Sequence, residues 1–191
     1  METNIERLKK VSAEHGGSNS VPSVYVGTYK KYNNGDLFGC WIDITSFDSY
    51  EDFIATCKYL HADEKDPEIM LQDYTCFPRS FYCESGLDKE TYEAILEYYA
   101  LSDDEKDAYE VYCEYECEPS VEKFKQRYLG EYNDLEEYAI DNDDISASFI
   151  GVDYDVFQQI SGYIDYSRIA REMDIDGFFC KEGYAFSSSN Y

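Results

Sequence analysis

The chain has 191 residues, 41 of them acidic and 16 basic, for a net charge of −25. Its 21 Tyr and 11 Phe exclude an acidic disordered segment, because such segments are poor in aromatics and bury too little apolar surface to offset chain entropy. Seven Cys at irregular spacing, a start without an apolar signal region and no apolar run of about 18 residues point to reduced thiols, a cytoplasmic location and no membrane helix.

Residues 1–23 balance three acids against three bases and run into His15-Gly16-Gly17-Ser18-Asn19-Ser20, which reads as a flexible neutral tail. Val24–Tyr29 is β-branched and aromatic and predicts a strand. Asn33-Asn34-Gly35 signals a hairpin turn, and Phe38–Ile44 returns as the second strand. Asp48 or Ser49 caps a predicted helix over Tyr50–His61, with Phe53, Ile54, Cys57 and Leu60 on one face. Ile69–Tyr74 reads as a third strand. Residues 24–77 therefore form a small α+β domain.

Residues 78–118 read as a helical domain. Leu87, Tyr92, Ile95, Leu96 and Tyr99 form an apolar stripe, and Glu90, Glu93 and Glu97 form a second face. Ser102 and Glu105 have capping-box spacing at the head of the next helix. There Ala108, Val111, Tyr112 and Tyr115 point inward, while Asp103, Asp107, Glu110, Glu114 and Glu118 share the other face. Pro119 suits the first turn of a helix over Ser120–Tyr128. Residues 119–191 form a mixed domain, with an acidic helix at Asp134–Asp144 carrying Glu136, Glu137, Asp141, Asp143 and Asp144. Short helices at Asp153–Gly162 and Tyr166–Met173 follow, then a hairpin of Gly177–Cys180 and Tyr184–Ser187 around Lys181-Glu182-Gly183. The fold class is α+β, three small domains in line. The abundance of tyrosine, whose ring fills a core while its hydroxyl reaches water, points to an elongated shape.

The charge is not spread evenly. Residues 84–155 hold 23 acids and 5 bases, a net of −18. A salt-adapted protein would be acidic throughout, whereas a confined block suggests a field directed at a partner. Like charges at i, i+3 and i+4 cost a helix about 0.2–0.5 kcal/mol per pair, and these helices have little basic relief. One stripe places a charge every ~5–6 Å along a helix, while duplex DNA carries one per ~1.7 Å. Two or three parallel stripes approach that density, and a charge of −25 matches about 42 Å of duplex. Such a surface suits the basic groove of a DNA-binding protein.

Other chemistries find little support. Asp141-Asn142-Asp143-Asp144 opens like a calcium loop, but position 6 is Ser146 and position 12 is Val152, where Gly and Glu are needed. With two His and no Cys-x-x-Cys there is no zinc pattern. Cys57 and His61 sit at i, i+4, where a buried Cys beside a helix-end His is a commoner arrangement than a reactive dyad. Neither a Walker loop nor Gly-x-Gly-x-x-Gly occurs, so no cofactor is expected. Basic residues are too few for direct nucleic-acid binding. No catalytic or metal-ligating set is expected.

Val24-Tyr25-Val26-Gly27-Thr28-Tyr29, Lys31-Tyr32-Asn33, Gly35, Gly39 and Trp41-Ile42-Asp43 resemble the opening of the ArdA-type antirestriction proteins. Gln72-Asp73-Tyr74, Leu135-Glu136-Glu137-Tyr138-Ala139, Tyr163-Ile164-Asp165-Tyr166, Ala170-Arg171 and Asp176-Gly177-Phe178 are similar to later parts of that family. The resemblance spans roughly 24–187. It implies an elongated three-domain homodimer, carried on mobile elements, that mimics bent DNA and occupies the DNA-binding surface of Type I restriction-modification enzymes. On that reading the thirteen acids named on the three acidic helices stand in for phosphates. An acidic module for another basic DNA-binding protein is the alternative.

Overall fold

The computed structural model describes residues 2–116 and 120–187. The fold is α+β, with two three-stranded antiparallel sheets. The chain gathers into two compact units, 1–102 and 103–191, where the sequence suggested three domains and a tail.

In the first unit, α1 (Asn4–His15) opens with a complete capping box: the Thr3 hydroxyl accepts the Glu6 N–H, and the Glu6 carboxylate accepts the Thr3 N–H. The expected flexible tail is thus helical over most of its length, and Val11 is buried in the core. The two glycines read as a linker serve close packing instead. A Cβ on Gly16 would meet the Ser12 carbonyl oxygen at 2.3 Å, and one on Gly17 would meet Ser23 Oγ at 2.7 Å.

Strand β1 (Ser23–Thr28) is central, pairing with β2 (Cys40–Asp43) on one side and with β3 (Ile69–Thr75) on the other. In place of a two-residue hairpin, the helical turn α2 (Tyr29–Asn33) leaves β1, capped by the Thr28 hydroxyl. Helix α3 (Tyr50–Leu60) starts at Ser49, whose hydroxyl accepts the Asp52 N–H, and buries Phe53, Cys57 and Leu60. These join Val24, Val26, Ile42, Ile44 and Leu71 in one core. Helix α4 (Lys89–Tyr99) belongs to this unit as well. Its Tyr92 ring stacks on Phe53 with centroids 5.5 Å apart and donates its hydroxyl to the Ile44 carbonyl, while Tyr50 donates to Leu87 O. Those bonds explain why the segment expected to begin a helical domain at 78 joins the N-terminal sheet.

The capped turn α2 drives Lys31 inward, where it is only 7% exposed. Its ammonium donates to Asp63 at 2.9 Å, Glu64 at 3.0 Å and His61 Nδ1 at 3.1 Å. Thr28 also donates to Glu64, and Arg7 lies 3.7 Å from Asp63. His61 is fully buried, and its Nε2 faces the Val26 carbonyl at 3.3 Å. The ring is therefore neutral with its proton on Nε2, accepting from lysine and donating to the backbone. Burial, then the Lys31 charge, pushes its pKa down. Burial pulls Asp63 and Glu64 upward, but their hydrogen bonds and the lysine charge hold both below the usual carboxylate range.

The second unit contains α5 (Asp103–Tyr115), α6 (Val121–Arg127), β4 (Tyr128–Glu131), α7 (Leu135–Asp141), α8 (Asp143–Ile150), α9 (Tyr154–Ile160), α10 (Tyr166–Ile175), β5 (Phe179–Lys181) and β6 (Tyr184–Phe186). Its strands run in the order β4-β6-β5. The terminal hairpin expected from the sequence is present, and β4 adds a third strand to it. One core is aromatic: Phe124 meets Tyr109, Tyr112 and Tyr128 at centroid distances of 5.4, 5.8 and 5.0 Å. A second is built from Leu135, Tyr138, Ala139, Ile169, Met173 and Phe178. The acidic helix expected over Asp134–Asp144 is capped by Asp134 and breaks at Asn142, after which α8 begins.

Candidate functional site

Each acidic face is positioned by the opposite, buried face of its helix. On α4, burial of Tyr92, Ile95 and Tyr98 turns Glu90, Glu93 and Glu97 to solvent. On α5, burial of Ala108, Tyr109, Val111 and Tyr112 turns Asp103, Asp107, Glu110 and Glu114 outward. Tyr109 extends the inward face beyond the expected stripe, while Tyr99 and Tyr115, expected inside, are exposed. Glu118 lies outside the described residues, as does Pro119. On α7, Leu135, Tyr138 and Ala139 are buried and Glu136, Glu137 and Asp141 are exposed. On α8, Asp144 is exposed and Asp143 half-buried.

Few of these acids are neutralised. Lys89 reaches Glu93 at 3.9 Å and Glu51 at 3.8 Å, and Lys106 reaches Asp103 at 3.6 Å. Glu137 accepts from the backbone and side-chain nitrogens of Asn133, Glu136 from Ser167, and Asp143 from Gln158. Those neutral donors orient the carboxylates without cancelling their charge. Glu90, Glu97, Asp107, Glu110, Glu114, Asp141 and Asp144 make no ion pair among the described residues.

The fold of the second unit also brings together acids that the helical stripes do not contain. Asp104 from α5, Glu131 from β4 and Glu182 from the turn after β5 line one indentation of about 380 Å3 with Tyr132, Asn133 and Tyr184. The field registers on neighbouring groups. Tyr128 is pushed up to about 12 by burial, then by Glu131 and other nearby groups that include Glu105 and Asp104. Tyr184 is raised by burial and then by Asp107, Glu131, Asp104 and Glu182. Cys180 rises to about 11 through burial, Asp134 and Glu137. Asp104, Glu131 and Glu182 carry no periodic signal, since they come from a helix, a strand and a turn far apart in sequence.

The groups that reactive chemistry would need are arranged otherwise. Cys57 and His61 are both fully buried, and burial pushes the Cys57 thiol up, away from a thiolate. Among the described residues six cysteines carry free thiols, and no group of three His, Cys, Asp or Glu is placed to hold a metal. No helix among them is long and apolar enough to cross a membrane.

Fold and surface together define an α+β protein whose outward chemistry is a set of carboxylates largely without counter-charges. The chain matches the family model for the antirestriction protein ArdA over residues 24–186, and it belongs to that family. Comparison with curated proteins finds no match. The family is non-enzymatic; it acts against Type I restriction systems and interacts with restriction enzymes.

Proposed function

We propose that this protein inhibits a Type I restriction-modification enzyme by mimicking DNA, its exposed carboxylates occupying the enzyme's DNA-binding surface in place of phosphates. The observation that carries this reading is the outward, largely unneutralised acid face of α5, with Asp107, Glu110 and Glu114 all lacking an ion pair among the described residues. Such a face costs its own helix stability through like-charge repulsion, so its benefit lies outside the fold. Glu90, Glu93 and Glu97 on α4, and Glu136, Glu137, Asp141, Asp143 and Asp144 on α7 and α8, extend the phosphate-like set, and Asp104, Glu131 and Glu182 join it. Glu118 continues the α5 series in the sequence. The inhibitor works as a homodimer, a reading supported by large apolar side chains left on the surface of the second unit: Tyr163 is 92% and Ile175 81% exposed. Sedimentation velocity tests this, with Tyr163→Lys expected to weaken the dimer.

The test of mimicry is inhibition of DNA cleavage by a Type I enzyme across a salt series. Inhibition weakens steeply as salt rises, because charge-driven occupation of a basic groove is screened. The quadruple variant Asp103→Asn, Asp107→Asn, Glu110→Gln, Glu114→Gln raises the concentration for half-inhibition at least about tenfold, while its thermal midpoint stays level or rises. Undiminished inhibition by a folded quadruple variant would end the mimicry reading.

A further inference from the structure

We propose that α1 and the Gly16–Gly17 segment form a guard over the edge of the N-terminal sheet, keeping β2 of one copy from pairing with β2 of a second. An open strand edge presents unpaired N–H and C=O groups and recruits another strand. Strand β2 is the outer strand on one side of its sheet. Gly16 forms a β-bridge with Ile42, and the Gly17 N–H donates to the Trp41 carbonyl at 3.0 Å. The opposite edge is covered too: Leu71 of β3 donates its N–H to Glu84 O and accepts the Tyr82 hydroxyl at 2.6 Å.

The guard lies outside the family match, which begins at residue 24, yet it is built in detail. Val11 anchors it in the core, Arg7 reaches Asp63, and Tyr59 donates to Glu2 at 2.7 Å. His15 stacks on Phe47 with centroids 4.1 Å apart and bonds Ser46. Both glycines are required because the backbone passes too close for a Cβ: at position 17 one would lie 3.2 Å from the Ile42 carbonyl carbon and 2.8 Å from Ser23 Cβ. Once the guard is lifted, a second β2 is the natural occupant, since an antiparallel pair of identical strands closes a two-fold dimer with both edges satisfied.

The experiment uses the full chain. Gly17→Val collides with β2 and Ser23 and pushes the segment off the edge. Trp41, the single tryptophan, sits on β2 and reports the displacement by its emission. Expected are a changed Trp41 emission and self-association at least about tenfold stronger than in the unmodified chain by sedimentation velocity. Adding Trp41→Lys to that variant places a charge on the edge and restores the original association state. If Gly17→Val loses its folded circular dichroism, Gly17→Ala, which brings in the single offending carbon, is read instead. The proposal is overturned if emission changes without added association, if neither changes, or if association persists in the Trp41→Lys double variant.

Discussion

The two units handle charge in opposite ways. Residues 1–102 hold 18 acids and 9 bases, and this unit takes Lys31 and Glu64 into its interior as a hydrogen-bonded pair, with buried Arg7 joined to the neighbouring Asp63 by an ion pair. Residues 103–191 hold 23 acids and 7 bases, and their cores are aromatic and aliphatic with the carboxylates turned outward. Charge in the first unit therefore specifies structure, whereas in the second, the half-buried Arg127–Glu116 pair apart, most carboxylates face solvent. Buried pairs are costly to break and little screened by salt, whereas exposed acids contribute little to folding and are readily screened.

The largest effect that would break this contrast is at Lys31. Lys31→Met takes the paired cation from buried Glu64, leaves Asp63 to the more distant Arg7, and is expected to destabilise the first unit by about 3–5 kcal/mol, read by urea unfolding followed through Trp41. An unchanged midpoint would mean the cluster does not hold the unit together. Next comes acidification. His61 is neutral in the fold with its pKa below the unfolded value, so below about pH 6.5 the unfolded chain takes up a proton that the folded chain refuses. The first unit loses stability as pH falls through that range. Asp63 and Glu64, both held below their usual values, add a further loss below about pH 4.5 in the same direction. The second unit holds no histidine, so amide exchange should show it unaffected between pH 6.5 and 5.

Smaller changes sharpen the comparison. Asp134→Ala removes the cap of α7, where the carboxylate accepts the Glu137 N–H at 2.8 Å, and should cost about 1 kcal/mol, lowering the thermal midpoint of the second unit. Lys89→Ala deletes two exposed pairs and should change stability by no more than ~0.5 kcal/mol. Because it also makes α4 more negative, inhibition should hold or strengthen slightly. A large loss of stability there would show that surface charge also supports the fold.

The sequence made the three strands of the first sheet and α3 legible, because alternating β-branched residues and a Ser49 cap are local signals. The acid faces were legible for the same reason: helical spacing places Asp103, Asp107, Glu110 and Glu114 together without knowledge of any distant contact. Features set by contacts between remote segments were not legible. Gly16-Gly17 looks like a linker until β2 lies against it. Strand β4 is four residues long, its register shifts between Tyr128 and Gly130, and it pairs with β6, more than fifty residues further along the chain. The division of 78–118 depends on Tyr92 and Tyr50 bonding to particular carbonyls, which no spacing announces. The inward placement of Lys31 likewise depends on Asp63, Glu64 and His61, thirty residues further along the chain.

The fixed tautomer of His61 gives the protein a built-in count. One ring nitrogen accepts from Lys31 and the other faces Val26 O, so an acylating reagent such as diethyl pyrocarbonate finds no available lone pair there. In the folded chain His15 should be the histidine modified, and a second histidine should react only when the first unit opens. The rate of that second modification is a clock for the opening of one unit, read by absorbance with no label attached.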